Sequence, residues 1–317
     1  MSKIVVTGGA GFIGSCLVRM LIDSGVECVT VLDNLSSGKE SNLTEVRDRV
    51  DLQIADICDY NAVAPVVAHA ERVFHLAAIP SVPKSIVEPV PSHESNIDGT
   101  FNVLRACQEG GVGRVIYAAS SSAYGDTEVL PKVETMKPMP QSPYALQKLV
   151  GEYYCSVFTS CWGLETVALR FFNVFGPRQD PTSHYSGVLS IFMTCLLEHQ
   201  APTIFGDGEQ SRDFTYVEDV AGLMMKAAAA PAEIVSGNSY NAGNGGCFTL
   251  NETWSELCAI EGISIEPKYG PSRAGDVKDS QADTTAARRD LGHEPRFTFR
   301  EGLQKTLEWY RAEFVRP

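Results

Sequence analysis

The sequence has no C-x-x-C pair and no H-x-x-x-H pair, and its nine cysteines stand singly at 16, 28, 58, 107, 155, 161, 195, 247 and 258. An odd, scattered set of this kind suits small buried side chains in a reducing compartment and argues against a disulfide framework or a zinc site, so no metal is expected. Long apolar runs are missing too: no stretch of 18 such residues occurs, and Met1-Ser2-Lys3 passes directly into Ile4-Val5-Val6 with no signal-like segment. This excludes a helical membrane span and leads to an expectation of a cytoplasmic protein. Basic charge is in deficit, with 26 Lys and Arg against 39 Asp and Glu and a net charge of −13, and no block of like charges marks a tail. Nucleic acid is therefore not expected as a partner. Internal repeats and low-complexity linkers are also absent.

What is present is a chain of 317 residues, enough for about two domains or one elaborated α/β unit. Short β-rich runs at 3–7, 28–33, 50–54, 72–77, 114–119 and 166–171 alternate with helical patterns, which is how a parallel sheet with crossover helices reads in sequence. Phe12, Ile13, Cys16, Leu17, Met20 and Leu21 recur at helical spacing until Ser24-Gly25. Further helices are expected at about 98–110 and 143–160. From about 173 the pattern loosens at Pro177, Pro181, Pro202 and Gly206 to Gly208, then Thr215 to Ala230 resembles a strand end and helix. The expectation is a Rossmann-type, doubly wound parallel sheet built from 1–172, with 214–241 returning to it. A smaller C-terminal α/β lobe would come from 173–213 and 242–317.

Thr7-Gly8-Gly9-Ala10-Gly11-Phe12-Ile13-Gly14 sets glycines at i, i+3 and i+6 between a strand and a helix. Gly8 permits the tight turn, Gly11 lets the backbone approach a pyrophosphate, and Gly14 allows close helix–strand packing, with the helix N-terminus facing the anion. Asp33 ends the second strand, 19 residues after Gly14. A carboxylate there accepts from a ribose 2′-OH and repels a 2′-phosphate, so NAD is expected rather than NADP. The same aspartate could alternatively begin a turn with Asn34.

Tyr144 and Lys148 are four residues apart on an expected helix, and so share a face. Alone, such a pair is common on exposed helices; behind a nucleotide fingerprint it suggests a general base with its activator. A phenol ionises near ~10, and bringing it to neutral pH requires about three units, roughly 4 kcal/mol. A cation ~4 Å away at an effective dielectric of ~20 supplies on the order of 4 kcal/mol, and a positive nicotinamide would add to it.

With these residues, Asp56-Ile57, His75-Leu76-Ala77-Ala78, the serines 120 to 122 and Tyr124-Gly125, the whole chain resembles the extended short-chain dehydrogenase/reductases. Asp33-Asn34-Leu35-Ser36-Ser37-Gly38 is similar to the adenosine-ribose loop of their nucleotide-sugar 4-epimerases. The resemblance implies that Phe12, Ile13, Asn34, Ser36, Ser37, Gly38, Asp56, Ile57, Leu76, Ala77, Ala78, Asn96, Phe171 and the Tyr144/Lys148 pair contact NAD. It also implies that Ser120, four residues before Tyr124, assists catalysis, with Ser121 and Ser122 as adjacent candidates. Related dehydratases carry Asp-Glu at these two positions; serines there argue against water elimination, which needs a further acid and base.

Arg170 to Asn173, Phe205 to Gly208, Ser211-Arg212-Asp213 and Arg273-Ala274-Gly275-Asp276 are similar to epimerase segments that hold UDP. The resemblance makes Arg212 and Arg273 a pyrophosphate clamp and Asp276 a ribose partner, with Asn173 and Phe205 beside the nucleotide. Ser280 falls where glucose/galactose-restricted epimerases have tyrosine, and a small residue leaves space for an N-acetyl group. The expected activity is NAD-dependent 4-epimerisation of UDP-N-acetylglucosamine. UDP-glucose or UDP-glucuronate epimerisation, a net oxidoreductase and a non-catalytic dinucleotide sensor are the alternatives. A homodimer through helices near 93–110 and 143–160 is also implied.

Overall fold

The apolar runs become parallel strands because they alternate between two faces that are both covered. In β1 (Ile4–Thr7), Val5 and Val6 enter different core clusters, as do Val115 and Ile116 of β5 (Arg114–Ser120) and Ala168 and Leu169 of β6 (Glu165–Phe171). A strand buried on both sides needs no polar face, which is why these segments read as continuous hydrophobic runs. The computed structural model describes residues 3–180, 187–271 and 278–314, so the expected Arg273 and Asp276 lie outside the described residues.

With β2 (Val29–Asp33), β3 (Val50–Ile54), β4 (Arg72–His75) and a seventh strand, β7 (Asn238–Ala242), these form one sheet in the order β3-β2-β1-β4-β5-β6-β7. Every neighbouring pair is parallel. The order reverses between β1 and β4, and ligands of such sheets bind in the crevice beyond the strand C-termini at that point. The expected doubly wound Rossmann-type class is thus the one observed.

Helix α1 (Phe12–Asp23) buries Cys16, Leu17, Val18, Leu21 and Ile22 and stops at Ser24, with Gly25 at φ +103° where a side chain would be strained. On the opposite face lie α2 (Thr100–Glu109) and α3 (Pro143–Trp162), whose Val103, Leu104, Cys155 and Phe158 pack with Val73, Val115 and Tyr117. Helix α3 is started by Ser142, which accepts from Ala145 N at 3.2 Å, with Pro143 in its first turn, and it ends at Gly163 in the left-handed conformation.

The loosened region after 173 contains α4 (Val188–Leu197), α5 (Val217–Ala229), α6 (Leu250–Glu261) and α7 (Phe299–Phe314), with three short strand pairs. Helix α6 carries a reciprocal cap between Thr249 and Glu252. Phe192, Trp254, Leu257 and Leu303 of these elements belong to the same buried cluster as Leu17 and Val31. Among the departures from expectation, β4 stops at His75 rather than 77, and Tyr60–Val67 is an unforeseen helix capped by Asp59. Among the described residues no helix is long and apolar enough to cross a membrane.

Candidate active site

The glycine turn is closed by contacts that exclude any side chain. A Cβ on Gly8, which has φ +71°, would come within 2.7 Å of Ala77 N, and one on Gly14 would come within 2.1 Å of Gly8 O. Gly11 caps α1, and among the described residues no side chain caps the helix's first turn, which leaves the N-terminal dipole around Phe12 and Ile13 facing the crevice. This is a cradle for a pyrophosphate, and the residues present fit the dinucleotide that the sequence implies.

Asp33 is buried; its Oδ2 accepts from Ala10 N at 3.0 Å and its Oδ1 from Leu35 N at 2.9 Å. The turn reading and the ribose reading are therefore compatible, since a carboxylate with about four acceptor sites retains two after making both bonds. Gly38 closes onto it: a Cβ there would meet both carboxylate oxygens at 2.9 Å. Asn34 spends its side chain on Asp56 Oδ2 at 2.9 Å and on Ser36 N at 3.0 Å. Burial would raise the Asp56 carboxyl, but bonds from Cys58 N–H and Asn34 bring it below its usual range. The Ile57 side chain points into the core, with Gly99 giving it room. Lys39 Nζ donates to Asp180 at 2.7 Å and Arg178 pairs with Glu45 at 2.8 Å, joining the ribose loop to the chain that follows β6.

Leu76 to Ala78 leave β4 at the switch point, and Leu76 N bonds Thr7 O at 3.1 Å. His75, which the sequence marked without a role, bridges Thr7 Oγ1 at 2.7 Å and Thr100 Oγ1 at 3.1 Å. Burial and the nearby Lys148 push its imidazole down to about 3, so it is neutral. Asn96, expected to touch NAD, is instead fully committed to the protein. It is 1% exposed, its Oδ1 accepts from Ile79 N at 2.8 Å, and its Nδ2 donates to Ile79 O at 3.1 Å and Gln147 Oε1 at 2.8 Å. A π-helical turn, Glu94–Gly99, puts it there.

Ser120 is the last residue of β5, and its Oγ lies 2.8 Å from Ser122 Oγ and accepts from Ser122 N at 3.2 Å. Burial pushes the Tyr144 phenol up, and a hydrogen bond with the Ser120 hydroxyl draws it partly back. Tyr144 is held by Ser85, whose Oγ accepts from its backbone N at 3.1 Å, a contact 59 residues away in sequence.

Lys148 departs from expectation. Its Nζ donates to Ala118 O at 2.8 Å and lies 5.0 Å from the Tyr117 ring centre, and burial lowers it to about 8. The ammonium is spent on a strand carbonyl, and burial holds the Tyr144 phenol above its ordinary value.

On the far side of the crevice Asn173 Nδ2 bonds Asp213 O at 3.3 Å, and Arg212 Nη1 bonds Ser211 O at 2.7 Å and Lys278 O at 2.9 Å. Ser280 N donates to Ser211 O at 3.2 Å, which places the small residue next to Arg212. Two residues on, Ala282 packs with Tyr124 and Phe172, just beyond the ends of β5 and β6. Phe171 ends β6 against the core, and Phe205 ends the short strand Thr203–Phe205. Arg170, grouped with the UDP segment by the sequence, is a structural ion. It is paired with Glu152 through bonds of 2.9 and 2.6 Å and lies 4.7 Å from the Tyr124 ring centre. Among the described residues no cluster of three or more His, Cys, Asp or Glu could hold a metal.

Comparison with known proteins places the chain among nucleotide-sugar 4-epimerase relatives. The chain is 37% identical over 313 residues to the UDP-glucose 4-epimerase of Mycolicibacterium smegmatis, covering 98% of each. Its structure matches that of the UDP-N-acetylglucosamine 4-epimerase from Methanobrevibacter ruminantium M1 with a TM-score of 0.93, at 37% identity and 99% coverage of both chains. It also matches a mutant of the UDP-glucuronic acid 4-epimerase from Bacillus cereus, solved with NAD and a fluorinated UDP-glucuronic acid, with a TM-score of 0.91 and 30% identity over 98% of this chain and 100% of the other. Residues 4–243 match the model of the NAD dependent epimerase/dehydratase family, and the chain belongs to that family.

Proposed function

We propose that the protein is a UDP-hexose 4-epimerase and that UDP-N-acetylglucosamine and UDP-N-acetylgalactosamine are its substrates. One observation carries the choice of sugar: Ser280, a small side chain, lies beside Arg212 and two residues from Ala282, which packs against Tyr124 behind the catalytic serine. A bulky residue there would occupy the volume an acetamido group needs.

Tyr144 removes the proton of the sugar 4-OH, and Ser120 donates a hydrogen bond to the oxygen as it becomes a carbonyl. NAD, when bound, supplies the hydride acceptor and donor. Lys148 keeps the phenol acidic by turning its ammonium from Ala118 O toward the crevice. Gly11, Phe12 and Ile13 hold the pyrophosphate of NAD, and Asp33 holds its adenosine ribose. Arg212, with Arg273 and Asp276, grips UDP, while the uncharged sugar turns between the two half-reactions. Residues 1–172 and 214–241 would serve the cofactor, and 173–213 and 242–317 the nucleotide sugar.

Phe101 of α2 and Leu146, Tyr153, Val157 and Trp162 of α3 are exposed, and Leu146, Tyr153 and Val157 fall on one helical face. This unpartnered apolar stripe supports a homodimer. The nine free thiols suit a reducing cytoplasm.

The test is to incubate the purified protein, with no added cofactor, with UDP-N-acetylglucosamine and follow UDP-N-acetylgalactosamine by proton NMR. Product is expected. If protein shown to carry NAD forms none while it converts UDP-glucose or UDP-glucuronate, the proposed sugar is wrong.

A further inference from the structure

Between Tyr144 and Lys148 on α3 lies Gln147, which is 4% exposed. Its Oε1 accepts two hydrogen bonds, from Ser92 Oγ at 2.8 Å and from Asn96 Nδ2 at 2.8 Å. Ser92 is itself completely buried, and Asn96 nearly so. Asn96 then clamps both main-chain groups of Ile79, the residue directly after the Leu76 to Ala78 segment of the switch point. The path from α3 to the loop at 76–79 thus runs through two buried side chains, Gln147 and Asn96, with Ser92 as a second donor to Gln147, and ends on a backbone amide and carbonyl.

We infer that Gln147 is a positioning residue that fixes the distance between the proton-transferring phenol of α3 and the loop at 76–79 against which the cofactor lies. The inference rests on the proposed epimerase reading for its kinetic consequence and on the geometry alone for its structural one. Hydride and proton transfer both depend on the phenol and the cofactor addressing the same carbon, and a misplacement of ~1 Å costs on the order of a hundredfold in rate. Lys148 and Glu152 tie α3 to the sheet through Ala118 O and Arg170, and Ser85 holds the Tyr144 backbone N; the Gln147 bonds are what tie the same helix to the loop at 76–79. The Gln147 carbonyl oxygen is the acceptor that two buried donors share, so replacing it by an apolar group leaves both Ser92 and Asn96 short of a partner. Nothing in the Tyr-x-x-x-Lys spacing distinguishes this side chain from a solvent-facing glutamine; the burial and the two partners, 51 and 55 residues away, do so.

The test compares Gln147→Met, which keeps the length and removes the acceptor, with Gln147→Glu, which keeps an acceptor oxygen. Both are purified with their bound NAD, and activity is normalised to folded, NAD-loaded protein. Two readouts are taken: hydrogen exchange of the Ile79 amide, and kcat and KM for the UDP-hexose that the wild type converts. For Gln147→Met, exchange at Ile79 should accelerate and kcat should fall at least about tenfold, while KM stays within about twofold, because the loss lies in alignment and not in substrate binding. Gln147→Glu should recover most of both. Unchanged exchange and unchanged kcat in Gln147→Met would overturn the inference, as would a Gln147→Glu variant no better than Met. A wild type that converts no UDP-hexose would refute the proposed function instead, and the Ile79 exchange would still decide whether the relay exists.

Discussion

Replacing Lys148 by methionine should stabilise this protein at neutral pH while abolishing its turnover. The ammonium is buried and its pKa falls from 10.5 to about 8. A lysine whose folded pKa lies below its unfolded one burdens the native state wherever it is charged. The burden is full below the folded value, and it is relieved as pH rises from there toward 10.5, because in that window the unfolded chain binds more protons. A fall of that size corresponds to about 3 kcal/mol at pH 7 and roughly half of that at pH 9.5.

Against this stands the hydrogen bond to Ala118 O, a charged-donor bond of about 1.5–3 kcal/mol. Methionine fills a similar volume, and its thioether brings no charge to desolvate. The net gain for Lys148→Met is therefore about 1 kcal/mol at pH 7, and it shrinks as pH rises past 8 and the native lysine loses its charge. Urea unfolding of dinucleotide-depleted wild type and variant at the two pH values measures it. A variant less stable than wild type at pH 7, or a difference that does not shrink with rising pH, would refute the burial argument.

Tyr144→Phe should retain NAD at wild-type stoichiometry and lose turnover, checked by absorbance of released cofactor and by product NMR; residual turnover near wild type would remove Tyr144 as the base. Ser280→Tyr should lose conversion of UDP-N-acetylglucosamine by at least about tenfold while keeping UDP-glucose, since overpacking a formed pocket costs about 1–3 kcal/mol. Side-by-side substrate assays read this directly. Gly14→Ala, whose Cβ would sit 2.1 Å from Gly8 O, should be purified without NAD and unfold at lower denaturant, by about 1–3 kcal/mol. Cofactor content after gel filtration, together with a urea titration, tests it.

The sheet and the cofactor turn were legible because local rules govern them. Six strands appear where β-rich runs stand, and Gly8, Gly11 and Gly14 occupy the turn their spacing implies. The seventh strand, Asn238–Ala242, was hidden because Asn238, Ser239 and Asn241 give it little apolar content, and one of its three buried residues, Asn241 between Tyr240 and Ala242, is polar. The helix at 188–197 was masked by the prolines and glycines around it. Within the site, composition named the chemistry but not the partners. Ser85 under Tyr144, and Ser92 and Asn96 on Gln147, are joined across 51 to 59 residues, and no local pattern encodes such bonds. The bond of Lys148 to a strand carbonyl was illegible for a related reason. Helical spacing fixes which face a side chain leaves from, and the carbonyl of Ala118, on a different element, decides where its end goes.

The position of β7 has a bearing on how the chain is made. Its partner β6 is an internal strand with five consecutive buried residues, yet β6 is complete at Phe171 while β7 begins at Asn238. On a ribosome emitting ~5–20 residues per second, the roughly 70 residues between them leave that hydrophobic edge uncovered for several seconds, a row of unpaired amides and carbonyls open to another nascent copy. A fragment that stops after β6 would carry the same open edge permanently. The seven-stranded sheet is thus not complete in the first part of the chain: its last strand arrives only after the chain has passed through the segments at 173–213, and aggregation during synthesis is the hazard this topology carries.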